Sequence, residues 1–131
     1  MKLLMSGNRI RDVGAKELAQ ALSSLINLAS LELDLSGNGI GDVGASELAR
    51  AIGGLGGLSR LVADLRGNLV GEYGARELAR ALGDMPSLGR LDLRLGGNFQ
   101  SAPGASGHSH HELVHAVQRL QTCGCICECS W

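Results

Sequence analysis

One stretch of sequence decides the fold of this chain: Leu33-Asp34-Leu35-Ser36-Gly37-Asn38-Gly39-Ile40-Gly41-Asp42-Val43-Gly44-Ala45-Ser46-Glu47-Leu48-Ala49-Arg50-Ala51-Ile52. Similar residues recur 30 positions before and after it, and the unit is marked by an asparagine at Asn8, Asn38, Asn68 and Asn98. A glycine precedes each asparagine, and a Gly-Ala pair opens the second half of the first three units. A fixed period of roughly 20 to 50 residues indicates a repeat protein whose units stack on one another.

Each unit changes its hydrophobic period halfway. Its first half has leucines at every second position, as in Leu31–Leu35, which predicts a short strand with one buried face. Its second half has apolar residues at helical spacing, as in Ala45, Leu48 and Ile52. Every unit is therefore expected to contain one strand and one helix.

Acidic residues and glycines delimit the predicted helices. Asp12, Asp42 and Glu72 stand just before the apolar stripes, where a carboxylate suits the positive end of a helix. An aspartate at this place can also cap the free backbone N–H groups. Gly53 and Gly83 are expected to close two of the helices.

The quoted stretch resembles the leucine-rich repeat of the ribonuclease-inhibitor type. Three units over residues 1–88 carry the resemblance, followed by a strand at Leu91–Leu95 and a degenerate fourth unit. The unit is longer than the family's usual length of about 28 or 29 residues, which is consistent with a lengthened strand. The resemblance implies an α/β solenoid: a short horseshoe with parallel strands on its concave wall, helices outside, and a ladder of asparagines holding the turns. It also implies a noncatalytic protein–protein interaction module, such as an inhibitor or scaffold.

The concave wall is the expected binding surface. Strand alternation and the strand ends supply the candidate residues Glu32, Asp34, Asp64, Arg66, Asp92 and Arg94. Neighbouring parallel strands lie about 4.8 Å apart, so that Asp34 is expected beside Asp64, both on the exposed side. Carboxylates this close repel each other unless a cation joins them. Two interpretations stay open: a surface that compensates its own charges, or an acidic site for a basic segment of a protein partner.

Composition excludes several other classes of function. The formal net charge is −1 and the chain has only one Trp, one Tyr and one Phe, which argues against a nucleic-acid partner. No apolar run approaches the roughly 20 residues of a membrane-spanning helix. No phosphate-binding glycine loop or cofactor fingerprint occurs, so we predict no cofactor and no enzymatic activity. All four cysteines lie near the C-terminus, unlike a secreted disulfide framework, and we expect a cytoplasmic location.

The segment His111-Glu112-Leu113-Val114-His115 matches the HExxH pattern of zinc proteases. In the repeat register, however, Glu112 aligns with Glu77, which places His111 and His115 on the outer side of a helix without a walled cleft. A third protein ligand is also missing from the longer protease pattern. We therefore predict no catalytic residues, and keep His108, His110, His111 and His115 only as candidates for adventitious or regulatory metal binding.

The C-terminal tail contains Cys123, Cys125, Cys127 and Cys129 at strict two-residue spacing. Three interpretations stay open. The tail is a degenerate fifth strand with cysteines in place of inward leucines, or a disordered tail, or a thiolate cluster for a soft metal. The last interpretation gives the alternative function, a metal-binding or redox-responsive protein that uses the C-terminal His/Cys segment.

These patterns predict three regions: leucine-rich repeats over 1–98, an inserted loop over 99–110, and a degenerate terminal helix with the Cys-rich tail over 111–131. The chain begins inside a predicted strand, and nothing in the sequence covers the apolar side of the first repeat. Solenoids need covered ends. We therefore expect either a piece of a longer repeat protein or self-association through the first repeat.

Overall fold

The computed structural model describes residues 1–98 and the backbone of Ile126–Ser130. Its elements are β1 (Lys2–Leu4), α1 (Arg11–Ser23), β2 (Ser30–Asp34), α2 (Asp42–Gly53), β3 (Arg60–Asp64), α3 (Glu72–Gly83), β4 (Arg90–Arg94) and β5 (Ile126–Ser130). The strands form one five-stranded sheet in the order β1-β2-β3-β4-β5, and every neighbouring pair is parallel. Alternating strands and helices around a parallel sheet confirm the predicted α/β solenoid.

The strand register follows the sequence repeat. Leu31 lies opposite Leu61, and Leu61 lies opposite Leu91. At the other end of the sheet, Cys127 lies opposite Leu91 and Cys129 opposite Leu93. The fifth strand is therefore confirmed for Ile126–Ser130, while the burial of its cysteines stays a prediction. Cys123, Cys125, the predicted loop 99–110, and all four histidines lie outside the described residues.

The core lies between the sheet and the helices. Leu31, Leu61 and Leu91 are at most 1% exposed, as the alternation predicts. Leu48 fills the same layer from α2. Burying each such side chain contributes about 1.5 to 3 kcal/mol, which is why the units hold together by stacking.

Glycine at the start of the helices allows close approach between repeats. A Cβ atom on Gly44 would lie 2.7 Å from Asp12 Oδ1 and 2.9 Å from Ala15 Cβ. Gly74 faces an equivalent restriction, with Asp42 Oδ1 at 2.9 Å. The repeated Gly-Ala pair is thus a packing requirement between neighbouring helices.

The asparagine ladder holds the turns. Asn68 Oδ1 accepts hydrogen bonds from the backbone N–H groups of Asn38 at 2.9 Å and Ile40 at 3.0 Å. Its Nδ2 donates to the carbonyl oxygens of Leu35 and Leu65, both at 2.9 Å. Because buried peptide groups must be paired, this one side chain satisfies the turns of two repeats. Asn38 and Asn98 make the corresponding contacts.

The aspartate caps differ from the prediction. Asp12 Oδ1 accepts hydrogen bonds from the backbone N–H groups of Gly41 at 2.7 Å and Gly44 at 3.0 Å, at the start of the next helix. Asp42 caps α3 in the same way through Gly71 and Gly74. No side chain of its own repeat caps α1, α2 or α3. The expectation that each aspartate caps its own helix was wrong, because stacking brings each carboxylate over the start of the following helix.

Candidate protein-binding surface

The concave face of the sheet carries five of the six predicted site residues in two rows, and the sixth, Arg66, follows the end of β3. In one row Glu32 lies opposite Val62, and Val62 lies opposite Asp92. In the other row Asp34 lies opposite Asp64, and Asp64 lies opposite Arg94. Residues up to 60 positions apart in sequence are thereby brought onto one surface, a finding that agrees with the predicted alternation.

Asp64 and Arg66 form the tightest ion pair of this wall. Arg66 Nε lies 2.9 Å from Asp64 Oδ1, and Arg66 Nη2 lies 2.6 Å from Asp64 Oδ2. The backbone N–H of Arg66 also donates to Oδ1, at 3.1 Å. This clamp leaves Asp64 only 6% exposed. The expectation of an exposed Asp64 was therefore wrong, since the arginine two residues later folds back over the carboxylate.

The environment of Asp64 favours its charged form. Burial raises the pKa of Asp64. The hydrogen bonds from Arg66 and the positive charges of Arg66 and Arg94 lower it by more, so that the pKa of Asp64 lies below its ordinary value. Asp64 is thus an ionised, arginine-bound group of the wall.

Two further carboxylates of the wall are also paired. Arg94 binds Asp92 through two contacts of 3.2 and 3.1 Å. Lys2 Nζ lies 3.4 Å from Glu32 Oε1. Hydrogen bonding to Asp92 raises the pKa of Arg94, as expected for a guanidinium held by a carboxylate. Most of the wall therefore compensates its own charges, in agreement with the first of the two interpretations.

Asp34 is the exception. Its Oδ1 accepts hydrogen bonds from the backbone N–H of Ser36 at 3.1 Å and from the Ser36 hydroxyl at 2.7 Å. Within the described ranges no Lys or Arg lies within 4 Å of this half-buried carboxylate. The hydrogen bond to Asp64 raises the pKa of Arg66, and the charges of Asp34 and Asp92 raise it further. Asp34 thus keeps an unpaired negative charge beside the Arg66 clamp.

Two arginines at the other end of the strands were missed by the sequence reasoning. Arg60 lies opposite Arg90, and Arg60 lies opposite Ser30 on its other side. Arg60 Nη1 reaches Ser30 Oγ at 3.5 Å, and in the part of the chain that the structure describes neither arginine has a carboxylate within 4 Å. The sequence contained a signal for them. Both arginines stand two positions before an outward residue of a predicted strand, so strand alternation also directs them outward.

Comparison with known proteins agrees with this architecture. Residues 2–19 and 29–49 match the sequence family described as Leucine Rich repeat. A solved structure titled "Leiomodin-1 Actin-Binding Site 2 (ABS2)" superposes with a TM-score of 0.69 at 16% sequence identity. The match covers 99% of this chain and 70% of that chain. No curated protein matches the sequence.

The chain has the fold of a leucine-rich-repeat solenoid. Its helices within 11–83 include none that is long and apolar enough to cross a membrane. Its described residues also include no group of three or more His, Cys, Asp or Glu side chains placed to hold a metal ion. The metal candidates His111, His115, Cys123 and Cys125 lie outside those residues, and their role stays a prediction.

The solenoid also carries an exposed apolar row that the sequence reasoning missed. Val13, Val43 and Tyr73 occupy equivalent positions near the starts of α1, α2 and α3, and they are 73%, 58% and 53% exposed. We call these three residues the helix-start row. The spacing of 30 residues between these apolar side chains was visible in the sequence. The row was missed because the sequence reasoning considered only the apolar helix positions that face the core.

Proposed function

We propose that this solenoid is a noncatalytic protein-interaction module that binds a segment of a protein partner along its concave wall. The observation that carries the proposal is a set of three charged side chains on the wall that have no ion-pair partner within 4 Å among the described residues. Asp34 is negative at the carboxyl end of the strands, whereas Arg60 and Arg90 are positive at the amino end. Among the wall residues whose side chains the structure describes, the other carboxylates are paired with cations of the wall or its edge: Glu32, Asp64 and Asp92.

The positions of these charges specify the partner segment. Four residues separate the level of Arg60 from that of Asp34, since Arg60 pairs with Ser30 and Asp34 ends the same strand. At about 3.3 Å per residue, the two levels are about 13 Å apart. An extended segment that lies along the strands therefore needs a basic residue at one end and an acidic residue about four positions away. This refines the expected basic segment into a segment with both charges.

The neighbouring ion pairs are expected to adjust when the segment binds. The side chains of Arg66 and Arg94 are 52% and 42% exposed, so both guanidinium groups are accessible to a partner carboxylate. The described part of the wall lacks Trp and Tyr, the residues that most often anchor tight interfaces. We therefore expect recognition dominated by charge, with affinity that falls as salt is added. The leiomodin-1 structure, named for an actin-binding site, supports the idea that a solenoid of this kind presents a protein-binding surface.

A random peptide library displayed on phage tests this proposal. Selection against the immobilised chain should enrich peptides with a basic and an acidic residue about four positions apart. Binding of the enriched peptides is then measured by fluorescence anisotropy. Asp34→Asn keeps the acceptor oxygen that Ser36 uses but removes the negative charge. Arg90→Gln removes one of the two positive charges at the amino end of the strands.

Matched controls separate wall binding from a general charge effect. Asp84→Asn and Lys16→Gln make comparable changes at exposed positions outside the concave wall. Each wall variant should weaken peptide binding about tenfold, as expected for the loss of one partly desolvated ion pair, while the controls bind as wild type. The proposal is wrong if no peptides are enriched, or if the controls weaken binding as much as the wall variants do.

A further inference from the structure

The amino ends of the strands carry a row of residues with positive charge only. In this row Ser30 lies opposite Arg60, and Arg60 lies opposite Arg90. The register also places Ile126 of β5 opposite Arg90, and isoleucine has no charge. The next two rows toward the carboxyl ends of the strands both contain carboxylates. We call Ser30, Arg60 and Arg90 the arginine level.

The two arginines of this level are neighbours of like charge. Arg60 lies opposite Arg90, and neighbouring parallel strands are about 4.8 Å apart. Like charges at such separations repel each other unless an anion lies between them. Among the described residues no carboxylate lies within 4 Å of either guanidinium group. This part of the chain therefore supplies no anion for the pair.

The carboxylates of the adjacent row are bound to other cations. Asp92 stands between Arg90 and Arg94 on the same face of β4, two positions from each. Its carboxylate binds Arg94, through contacts of 3.2 and 3.1 Å. The carboxylate of Glu32 lies 3.4 Å from Lys2 Nζ. The arginine level is thus accessible to an external anion even though acidic residues stand nearby.

A hydroxyl group completes the set of donors at this level. Arg60 Nη1 donates to Ser30 Oγ at 3.5 Å, which leaves the hydroxyl hydrogen of Ser30 able to donate in turn. Arg90 is exposed and Arg60 is partly exposed. A phosphate monoester has about two negative charges at pH 7 and three acceptor oxygens, which match two guanidinium groups beside a hydroxyl group. A carboxylate has a single charge and compensates only one of the arginines.

We propose that the arginine level binds a phosphate monoester, and that the acidic residue of the partner segment is a phosphorylated side chain. This inference rests on the proposed function, because the arginine level is the positive end of the surface described there. The segment places its phosphate group against Arg60 and Arg90, and its basic residue about four positions away, beside Asp34. Clusters of arginine commonly recognise phosphorylated segments. Phosphorylation of the partner thereby controls its capture by the wall.

Titration with inorganic phosphate tests the site without a partner segment. NMR follows the backbone amide and arginine Nε–H signals of the isotope-labelled chain, with sodium chloride at equal ionic strength as the control. Phosphate alone should shift the signals of Arg60 and Arg90, and should leave those of Arg80, an exposed arginine on α3, unchanged. Arg60→Lys combined with Arg90→Lys keeps both charges but removes the forked donors, and should weaken phosphate binding about tenfold. Absence of these shifts, or equal shifts at Arg80, would overturn the site even if unphosphorylated peptides bind the wall.

A pair of matched peptides tests the class of partner. Each has a lysine about four positions from its acidic residue, which is glutamate in one peptide and phosphoserine in the other. In fluorescence anisotropy, wild type should bind the phosphoserine peptide about tenfold more tightly than the glutamate peptide. Arg60→Lys combined with Arg90→Lys should remove most of that preference, and the control Arg80→Lys should keep it.

The outcomes separate this inference from the proposed function. Equal binding of the two peptides would overturn the inference and leave the proposed function standing, whereas absence of binding by both would contradict the two together. Vesicles that contain phosphoinositide lipids distinguish a membrane from a peptide as the source of the phosphate group. Binding to these vesicles without binding to the phosphoserine peptide would overturn the peptide partner.

Discussion

The first and second repeats have nearly the same pattern of residues but very different surroundings. Ile10 and Leu28 are partly buried, whereas their equivalents Ile40 and Leu58 are 0% exposed. The residue types match, so the difference comes from the neighbour: α2 and β2 are covered on both sides and α1 and β1 on one. In a solenoid the stability of a unit is thus set by what stacks on it as much as by its own sequence.

The backbone differs between the two repeats as well. Arg9 has φ 53° and Arg11 has φ 56°, values that disfavour residues other than glycine. Gly39 takes the place of Arg9 with φ 67°, while Gly41 takes that of Arg11 with φ −99°. The N–H of Gly41 is bound by Asp12 of the preceding repeat. Among the described residues no equivalent carboxylate accepts a hydrogen bond from the N–H of Arg11. The backbone at the start of α1 therefore differs from that at the start of α2.

The largest expected difference between the repeats concerns their central leucines. Leu48→Ala should lower the free energy of unfolding by about 3 kcal/mol, because Leu48 is only 1% exposed and its removal leaves a cavity. Leu18→Ala should cost about half as much, since Leu18 is only partly buried. Urea unfolding measures both values. Equal losses would show that the first repeat is covered as well as the second.

The asparagine ladder gives the next largest effect. Asn38→Ala leaves the N–H of Asn8 and the carbonyl oxygen of Met5 without these bonds, and should cost about 2 kcal/mol. Asn8→Ala should cost less than about 1 kcal/mol, because Asn8 is exposed and water replaces its contacts. Urea unfolding measures the loss of stability in both variants. A larger loss for Asn8 would contradict the difference between the repeats.

The aspartate caps give a smaller effect with a specific location. Asp12→Ala should lower stability by about 1 kcal/mol, as is typical for removal of a helix cap. Its local consequence should fall on α2, where Gly41 and Gly44 lose their acceptor, and not on α1. Amide hydrogen exchange by NMR locates the change. Glu17→Gln, an exposed change on the same helix, serves as the control. Loss of protection confined to α1 would restore the original expectation.

The smallest expected change in the free energy of unfolding concerns one equivalent strand position, which is an exposed Leu4 in the first repeat and a buried Asp64 in the third. Because the pKa of folded Asp64 is lowered, its ionisation contributes stability above the unfolded pKa of about 3.9. Asp64→Asn should therefore destabilise at neutral pH, and the difference from wild type should shrink as pH falls through the folded pKa. Urea unfolding across this range measures it. A difference that is constant or grows in acid would refute the Arg66 clamp.

The sequence was sufficient for the features that repeat. The resemblance carried by the repeat that contains Asn8 to Asn98 implied the ladder, and the alternation of Leu31–Leu35 predicted the buried and concave faces. Both depend on contacts within the unit or between identical positions. Such contacts follow directly from spacing, which is why these predictions were confirmed.

The features that failed depend on how one repeat is offset from the next. Asp12 caps α2 because stacking shifts its carboxylate over Gly44, and no pattern within one unit encodes that shift. Asp64 is buried because Arg66 folds back on it, a choice of side-chain direction that alternation does not determine. Arg90 was missed for a simpler reason, since it precedes the leucine that was taken as the start of the strand.

Amide hydrogen exchange of matched positions tests the central claim most directly. Met5 and Leu35 donate equivalent backbone bonds, to Asp34 at 2.8 Å and to Asp64 at 2.9 Å. Ile10 and Ile40 likewise both donate to a ladder asparagine. In solution, the N–H groups of Met5 and Ile10 should exchange much faster than those of Leu35 and Ile40, because only the second repeat is covered on both sides by described residues. Equal rates within each pair would contradict the account.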